Sequence, residues 1–102
     1  GCVQSALEFI NNNINKKIDL SAIAEHTFVS RSTLTNKFKK ELNITVLEYI
    51  QRQKMFLAGQ ILKNTNLTVA QISEHLGYSE QFYFSRCFKQ SFGMSPREYR
   101  NQ

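Results

Sequence analysis

The segment VAQISEHLGYS at 69–79 is a second copy of LSAIAEHTFVS at 20–30. At a constant offset of 49, the residues identical in the two copies are Ile23 and Ile72, Glu25 and Glu74, His26 and His75, and Ser30 and Ser79. The match continues at an offset of 50, where Phe38 pairs with Phe88, so one residue is inserted after the shared serine. A unit of about 50 residues that occurs only twice is too short a series for a solenoid. The repeat therefore predicts two copies of one small helical module.

Helix starts are marked by residues that cap helix N-termini. Capping boxes, in which a hydroxyl and a carboxyl or amide group satisfy each other's backbone donors, begin at Thr45, Thr68 and Ser95. Further N-cap candidates are Asp19, Ser30 and Ser79. The resulting prediction is seven helices, near 2–14, 20–27, 31–42, 46–63, 69–76, 80–92 and 96–101. One proline, four glycines and no alternating β-branched run are too few signals for β-hairpins, so we expect an all-α fold.

The order of short helix, tight link and longer helix occurs twice in this prediction. Gly77 stands in the second link, because glycine enters the left-handed region there without steric cost. The first link has Phe28 at the matching position. This predicts either a looser turn, some strain at Phe28, or a phenyl ring that is needed in the core.

The composition indicates a basic chain. Thirteen lysines and arginines against eight acidic residues give a formal net charge of +5 and a pI near 9.4. This balance is expected of a chain that meets polyanions, either nucleic acid or an anionic membrane surface. Cys2 and Cys87 are far apart in sequence, which favours a reducing compartment, with the cytoplasm as the default. No long apolar run or signal peptide is present, and the start at Gly1 suggests a fragment that lacks an N-terminal part.

Two predicted helices, 31–42 and 80–92, present matching faces when their residues are placed at 100° intervals. The faces expected to be buried carry Leu34, Phe38, Glu41 and Leu42 in the first helix, and Phe84, Phe88, Ser91 and Phe92, with Cys87 at the margin, in the second. The opposite faces carry Ser32, Thr35, Asn36 and Lys39, and Phe82, Ser85, Arg86 and Lys89. Arginine can bond both acceptors of guanine and asparagine can pair with adenine, so Arg86 and Asn36 are the central candidates for base contacts. Phe82 either covers thymine methyl groups or is a single exposed aromatic without a role.

The predicted helix at 46–63 has the length of a spacer. With about 18 residues it is roughly 27 Å long. With the widths of the modules added, it would set the two exposed faces about 34 Å apart, which is one turn of DNA. Both faces would then enter major grooves on one side of the duplex, at a directional, non-palindromic site. Apolar residues such as Ile50 and Leu57, interspersed with Arg52, Lys54 and Lys63, indicate a strut packed on both modules.

The C-terminal part carries a specific signature. It consists of Gly77-Tyr78, Tyr83-Phe84-Ser85-Arg86, Phe88-Lys89, Phe92-Gly93-Met94-Ser95-Pro96 and Tyr99-Arg100. In these residues and their spacing the chain resembles, over nearly its whole length, the DNA-binding domain of the AraC/XylS family of bacterial transcription regulators. The resemblance implies two helix-turn-helix subdomains, at 1–44 and 65–102, joined by a linker helix at 45–64. It also implies sequence-specific binding of double-stranded DNA that controls transcription, by activation more commonly than by repression.

The resemblance further implies which residues contact bases. These positions are Arg31, Ser32, Thr35 and Asn36 in the first module and Gln81, Phe82, Ser85 and Arg86 in the second. Contacts to phosphates, which position a protein without specifying sequence, are expected from Ser30, Lys39, Lys40, Ser79 and Lys89. Further expected partners are RNA polymerase and an N-terminal sensor or receiver domain in the parent chain.

Other functions have less support. His26 and His75 occupy the same repeat position in different modules, without further ligands at zinc spacing, so neither a metal nor a cofactor is expected. An enzyme is not expected, because Asp19 is the only aspartate and neither a phosphate-binding glycine loop nor a Gly-x-Ser-x-Gly motif occurs. Cys87 beside Arg86 is interpreted as a packing residue rather than a redox thiol. The remaining alternative is a helical protein-interaction module with an incidental basic face.

Overall fold

The computed structural model describes residues 1–102, which form seven α-helices and no β-strand. The helices are α1 (Cys2–Asn12), α2 (Leu20–Thr27), α3 (Arg31–Leu42), α4 (Val46–Asn64), α5 (Val69–His75), α6 (Gln81–Phe92) and α7 (Pro96–Arg100). The pairs α2–α3 and α5–α6 are the two helix-turn-helix motifs. The all-α prediction is confirmed, and every helix ends within two residues of its predicted position.

The largest difference is at the end of α1, which stops at Asn12 rather than at residue 14. The side-chain amide of Asn13 donates to the carbonyl oxygen of Phe9 at 2.8 Å, and its backbone N–H donates to Ile10 at 3.1 Å. Asparagine side chains compete with the helix for backbone groups, so a run of three asparagines at 11–13 ends the helix early.

The chain divides into two compact units. The first contains Gly1–Ile14 and Ile18–Gln51, and the second contains Asn15–Lys17 and Arg52–Gln102. Helix α4 therefore begins in the first unit and ends in the second. The short segment Asn15–Lys17, which connects α1 to α2, belongs to the second unit although both of its neighbours in sequence belong to the first.

The core of the first unit is formed by α1, α2, α3 and the first turns of α4. Its buried residues are Val3, Ala6, Ile10, Ile23, Ala24, Leu34, Phe38, Val46 and Ile50. Leu34 and Phe38 are fully buried, and the Tyr49 ring meets the Phe38 ring edge-on at 5.8 Å between centroids. Burying such a side chain contributes roughly 1.5–3 kcal/mol, so these two residues fix the rotation of α3 about its axis.

The core of the second unit repeats this arrangement with larger aromatic residues. Its buried residues are Met55, Ala58, Leu62, Ile72, Leu76, Phe84, Cys87 and Phe88. The Phe88 and Phe92 rings are stacked at 4.1 Å, and Tyr99 meets both rings edge-on. Gly59 makes room for this layer, because a Cβ at that position would lie 3.1 Å from the Phe92 ring.

The repeat extends to helices whose sequences show no obvious similarity. The buried residues of α1 correspond to those in the second part of α4 at a constant offset of 52, which pairs Val3 with Met55, Ala6 with Ala58 and Ile10 with Leu62. Each module therefore contains one additional helix, α1 or the second part of α4, that packs against the helix-turn-helix pair.

Most of the predicted N-caps are confirmed. Capping boxes form at Thr68 and Ser95, reciprocal bonds of the same type join Thr45 to Glu48, and the side chains of Asp19 and Ser30 each accept a backbone N–H. Ser79 is not the N-cap of α6, and that prediction was wrong. The N-cap is Glu80, without a side-chain capping bond, because the residue inserted in the second copy separates Ser79 from the helix.

The turns between the helices of each pair correspond as well. Gly77 has φ +84°, and Phe28, its counterpart, has φ +60°. The Phe28 side chain is 94% exposed, so the alternative in which its ring fills the core is wrong and Phe28 bears the strain of a left-handed backbone. Glu41, Leu42 and Ser91 are also exposed rather than buried, since each lies near the end of its helix.

Candidate nucleic-acid interface

The exposed face of α3 carries the residues expected to contact bases in the first module. Arg31, Ser32, Thr35 and Asn36 are all exposed. Leu34 and Phe38 hold the opposite face in the core, so the four side chains point away from the unit. The Arg31 guanidinium lies 3.4 Å from the Ser21 hydroxyl of α2, which links the two helices of the motif at the surface. The side chains of Ser32, Thr35 and Asn36 are small, which allows a backbone or base edge to approach α3 closely.

Positive charge follows this face toward the C-terminal end of α3. Lys39 and Lys40 are exposed in the last turn, and the Lys39 ammonium lies 3.4 Å from the carbonyl oxygen of Asn43. Lysines in the last turn are favourable for the helix dipole and remain available to an external anion. At the other end, the Ser30 hydroxyl accepts the Thr33 N–H at 3.1 Å and lies 2.9 Å from the Thr33 hydroxyl.

The exposed face of α6 carries the corresponding residues of the second module. Gln81, Phe82 and Arg86 are exposed, and Ser85 is half-buried. Phe84 and Phe88 are fully buried, which fixes the rotation of α6 as Leu34 and Phe38 fix that of α3. Lys89 is exposed in the last turn, and Ser79 is exposed in the link before the helix.

Phe82 is the most unusual residue of this face. Its side chain is 72% exposed, although a phenyl ring on a free surface is unfavourable. The neighbouring Tyr83 is 56% exposed and its ring lies 6.0 Å from that of Tyr78. Tyr83 lies between the exposed and the buried face of α6, so helical periodicity assigns it to neither face. The signal for Tyr83 in the sequence is its place in the signature Tyr83-Phe84-Ser85-Arg86.

Cys87 belongs to the buried face of α6 and does not lie at its margin. It is buried, which agrees with a packing role. A hydrogen bond between the Tyr83 hydroxyl and Cys87, together with the charge that the thiol can carry, raises the pKa of Tyr83. The Tyr83 hydroxyl is thus engaged with Cys87 of the same helix.

The link between α5 and α6 is held by a buried lysine. Lys54 of α4 is only 6% exposed, and its ammonium donates to the carbonyl oxygens of Lys16, at 2.8 Å, and Leu76. The Tyr78 ring lies 5.6 Å away, close enough for a cation–π contact. Burial lowers the pKa of Lys54 to about 8 and raises that of Tyr78 above its ordinary range, to which the nearby Cys87 and Tyr83 contribute.

Lys54 is buried, unlike Arg52 and Lys63, the other two basic residues interspersed with the apolar residues of α4. The two carbonyl groups satisfy its ammonium in the interior, which offsets part of the penalty of burying a charge. Because Leu76 ends α5, the lysine supports the backbone that leads into the helix with the exposed aromatic face. Its role is to position α6 rather than to contact a ligand.

No group of three histidine, cysteine or acidic side chains in the chain could hold a metal ion. None of the seven helices combines the length and the hydropathy that a membrane span requires.

Comparison with known proteins identifies relatives of this arrangement. The chain is 34% identical over 101 residues to "Histidine kinase P4" of Formosa agariphila, covering 98% of the chain and 7% of that protein. It is 32% identical over 99 residues to the "Arabinose operon regulatory protein" of Escherichia coli, covering 96% of the chain and 34% of that protein. The chain thus spans a minor part of both curated relatives.

A solved structure shares the whole fold. The C-terminal domain of AraT, a response regulator from Geobacillus stearothermophilus, is 33% identical and superimposes with a TM-score of 0.95, over 98% of this chain and 84% of that one. The model of a family described as "Helix-turn-helix domain" matches residues 23–102. This is a family of DNA-binding transcription regulators rather than enzymes, and the name of the kinase relative describes a much longer protein. The chain belongs to the AraC-type helix-turn-helix family, the DNA-binding domains of bacterial transcription regulators.

Proposed function

We propose that this domain binds double-stranded DNA at a directional site, with α3 and α6 each entering a major groove. The observation that carries the proposal is that α3 and α6 bury corresponding residues, each in the core of its own unit. The fully buried Leu34 and Phe38 of α3 correspond to Phe84 and Phe88 of α6 at an offset of 50. The exposed residues of the two helices therefore correspond at the same offset. A helix-turn-helix contacts base edges with the N-terminal part of its second helix.

The proposed base contacts lie in the first turns of these helices. They are Arg31, Ser32, Thr35 and Asn36 in α3, and Gln81, Phe82, Ser85 and Arg86 in α6. Arg86 carries the planar donor fork that matches guanine, and Phe82 offers apolar surface to thymine methyl groups. The module with α6 has the longer polar and aromatic side chains, so we propose that it contributes more to sequence discrimination.

Contacts to the phosphate backbone are proposed for five residues that flank these positions. They are Ser30, Lys39, Lys40, Ser79 and Lys89, all of which are exposed. Lysine contacts release counterions from DNA, and the three lysines alone predict a slope of about −2.7 in a plot of log affinity against log salt. The net charge of +5 favours the same partner.

The length of α4 supports two contacts on one DNA molecule. This single helix of 19 residues is about 28 Å long and connects one module to the other. We propose that the two modules contact successive major grooves. Since the modules differ in sequence, the two half-sites also differ, and the site has a direction.

A salt titration tests the proposal. A duplex enriched from random DNA by selection on the domain would be bound at several salt concentrations, beside a shuffled duplex of the same composition. We expect tighter binding to the selected duplex and a steep fall of affinity with salt for both. A flat salt dependence without sequence preference would contradict the proposal and favour a helical protein-interaction module.

Inverting one half-site of the selected duplex tests directionality. Two unlike modules joined in a fixed order should lose affinity when one half-site is inverted. An unchanged affinity would show that only one module contacts bases.

The whole regulator is expected to contain further domains. The chain spans 34% of the arabinose operon regulatory protein, and the related AraT structure is the C-terminal domain of a response regulator. We propose that this domain is the output part of a cytoplasmic regulator with an N-terminal sensor or receiver domain, which activates transcription in contact with RNA polymerase. In vitro transcription with the full-length protein tests this, and a template transcribed equally with and without it would contradict activation.

A further inference from the structure

A basic cleft adjoins the first residue of α6. Its volume is about 530 Å³, and its walls are formed by Gln81, Arg97, Arg100, Asn101 and the first residues of α5. The cleft has two guanidinium groups in its wall and no acidic side chain. A concave surface of this composition is electrostatically favourable for an anion.

The two arginines of the cleft have different roles. Arg100 is half-buried and donates to the carbonyl oxygens of Leu62, at 3.0 Å, and Thr65, at 3.2 Å. It therefore fastens α7 to the end of α4. Arg97 is exposed, and no hydrogen bond within the domain engages its guanidinium. The neighbouring Glu98 makes no ion pair with Arg97, and its carboxylate accepts the Ser95 N–H of its capping box at 2.9 Å.

We propose that Arg97 binds a backbone phosphate of the same DNA whose bases α6 contacts, and that it thereby positions α6 in the groove. The inference rests on the proposed function, since Gln81 is a proposed base contact and lines the same cleft. Gln81 and Arg97 line the same cleft, so a base contacted by Gln81 would bring a neighbouring backbone phosphate close to Arg97. Guanidinium groups bind phosphate oxygens through paired, charge-assisted hydrogen bonds.

This contact is specific to the second module. At the repeat offset of 50, the counterpart of Arg97 is Leu47, an apolar residue that is 64% exposed. Leucine cannot bind phosphate, so the first module lacks the contact. The structure thus gives the second module an additional electrostatic anchor, independent of the residues that would select the base sequence.

The test compares Arg97→Ala with Arg52→Ala in the 102-residue chain. Both variants remove one exposed positive charge, but Arg52 lies on α4 and does not line the cleft. The probes are the selected duplex and its shuffled counterpart. We expect Arg97→Ala to weaken binding to both duplexes by the same factor and to reduce the salt slope by about 0.9. Between 0.05 and 0.2 M salt, the affinity ratio of wild type to variant should then shrink about 3.5-fold.

Each other outcome is informative. Equal effects of Arg52→Ala and Arg97→Ala would overturn the inference, because only net charge would matter. A loss confined to one base pair would also overturn it, since Arg97 would then contact a base. If wild type binds DNA with the expected salt slope and Arg97→Ala matches it, the inference fails while the proposed function stands. Absence of salt-dependent binding by wild type would instead contradict the proposed function. Unchanged thermal unfolding of Arg97→Ala verifies that the fold is intact.

Discussion

Replacing Gly77 by alanine should destabilise the second unit more than its small size suggests. Gly77 has φ +84°, and a left-handed backbone costs a non-glycine residue about 1–2 kcal/mol. In addition, a Cβ at this position would lie 2.4 Å from the carbonyl carbon of Lys16 and 2.7 Å from the Lys17 nitrogen. These are backbone atoms that cannot rotate away, and overpacking of this kind adds about 1–3 kcal/mol. Alanine also lowers the conformational entropy of the unfolded chain, which offsets about 0.4–1 kcal/mol, so the net loss of stability should be about 1–5 kcal/mol.

Gly93→Ala is the matched control. Gly93 has φ +77° and ends α6, but a Cβ there would have no atom within 4 Å. It should therefore lose only about 1 kcal/mol, from the backbone conformation alone. Urea unfolding followed by circular dichroism measures both losses. Equal losses for the two variants would refute the close approach of Lys16 and Lys17 to the turn.

Four further predictions concern single side chains. Arg86→Ala should cost about 1–3 kcal/mol of DNA-binding energy at one base-pair position, measured on duplexes mutated one position at a time, and a uniform loss on all duplexes would argue against a base contact. Lys39→Ala should weaken binding to every duplex alike and make the salt slope shallower by about 0.9, whereas a slope equal to that of wild type would exclude a phosphate contact. Phe28→Gly should raise the free energy of unfolding by up to about 1 kcal/mol, because glycine relieves the strain at φ +60° and the 94% exposed ring contributes little burial. A lower free energy of unfolding in urea would show that the ring makes a stabilising contact. The pKa of Lys54 is about 8 in the folded state, below its ordinary value of 10.5, so wild type should gain stability relative to Lys54→Met as the pH rises from about 8 to about 10.5. A stability difference between the two proteins that does not change with pH would contradict the burial of the charge.

Much of the fold follows from local signals in the sequence. The capping residues at Asp19, Ser30, Thr45, Thr68 and Ser95 define helix starts because the bonds they make span only three residues. The buried and exposed faces of α3 and α6 follow from periodicity, which likewise depends on residues a few positions apart. Periodicity fails at the helix ends, where Glu41, Leu42 and Ser91 are exposed although they were predicted to be buried.

Contacts between residues distant in sequence could not be predicted in this way. The sequence around Gly77 does not indicate that the backbone of Lys16 packs against this turn. Likewise, the burial of Lys54 depends on carbonyl groups 38 and 22 residues away. The correspondence of α1 with the second part of α4 is not visible in the sequence, because only Ala6 and Ala58 are identical among the three buried pairs, while the other two pairs share hydrophobic character and not residue type.

Residues outside the exposed faces were missed for a related reason. Arg97 gave no signal in the sequence, because its position relative to Gln81 depends on how α7 packs beside α6. Tyr83 lay between the two faces of the helical wheel. Both are surface residues whose significance depends on what lies next to them in space.

Helix α4 has a practical consequence for the construction of hybrid regulators. Val46 and Ile50 of this helix belong to one core, and Met55, Ala58 and Leu62 belong to the other. Modules from two relatives therefore cannot be exchanged at a loop, as in most domain swaps, because no loop lies between these two groups of residues. The splice point has to fall near Gln51 and Arg52, inside a continuous hydrogen-bonded helix, and each donor must supply its own side of that helix.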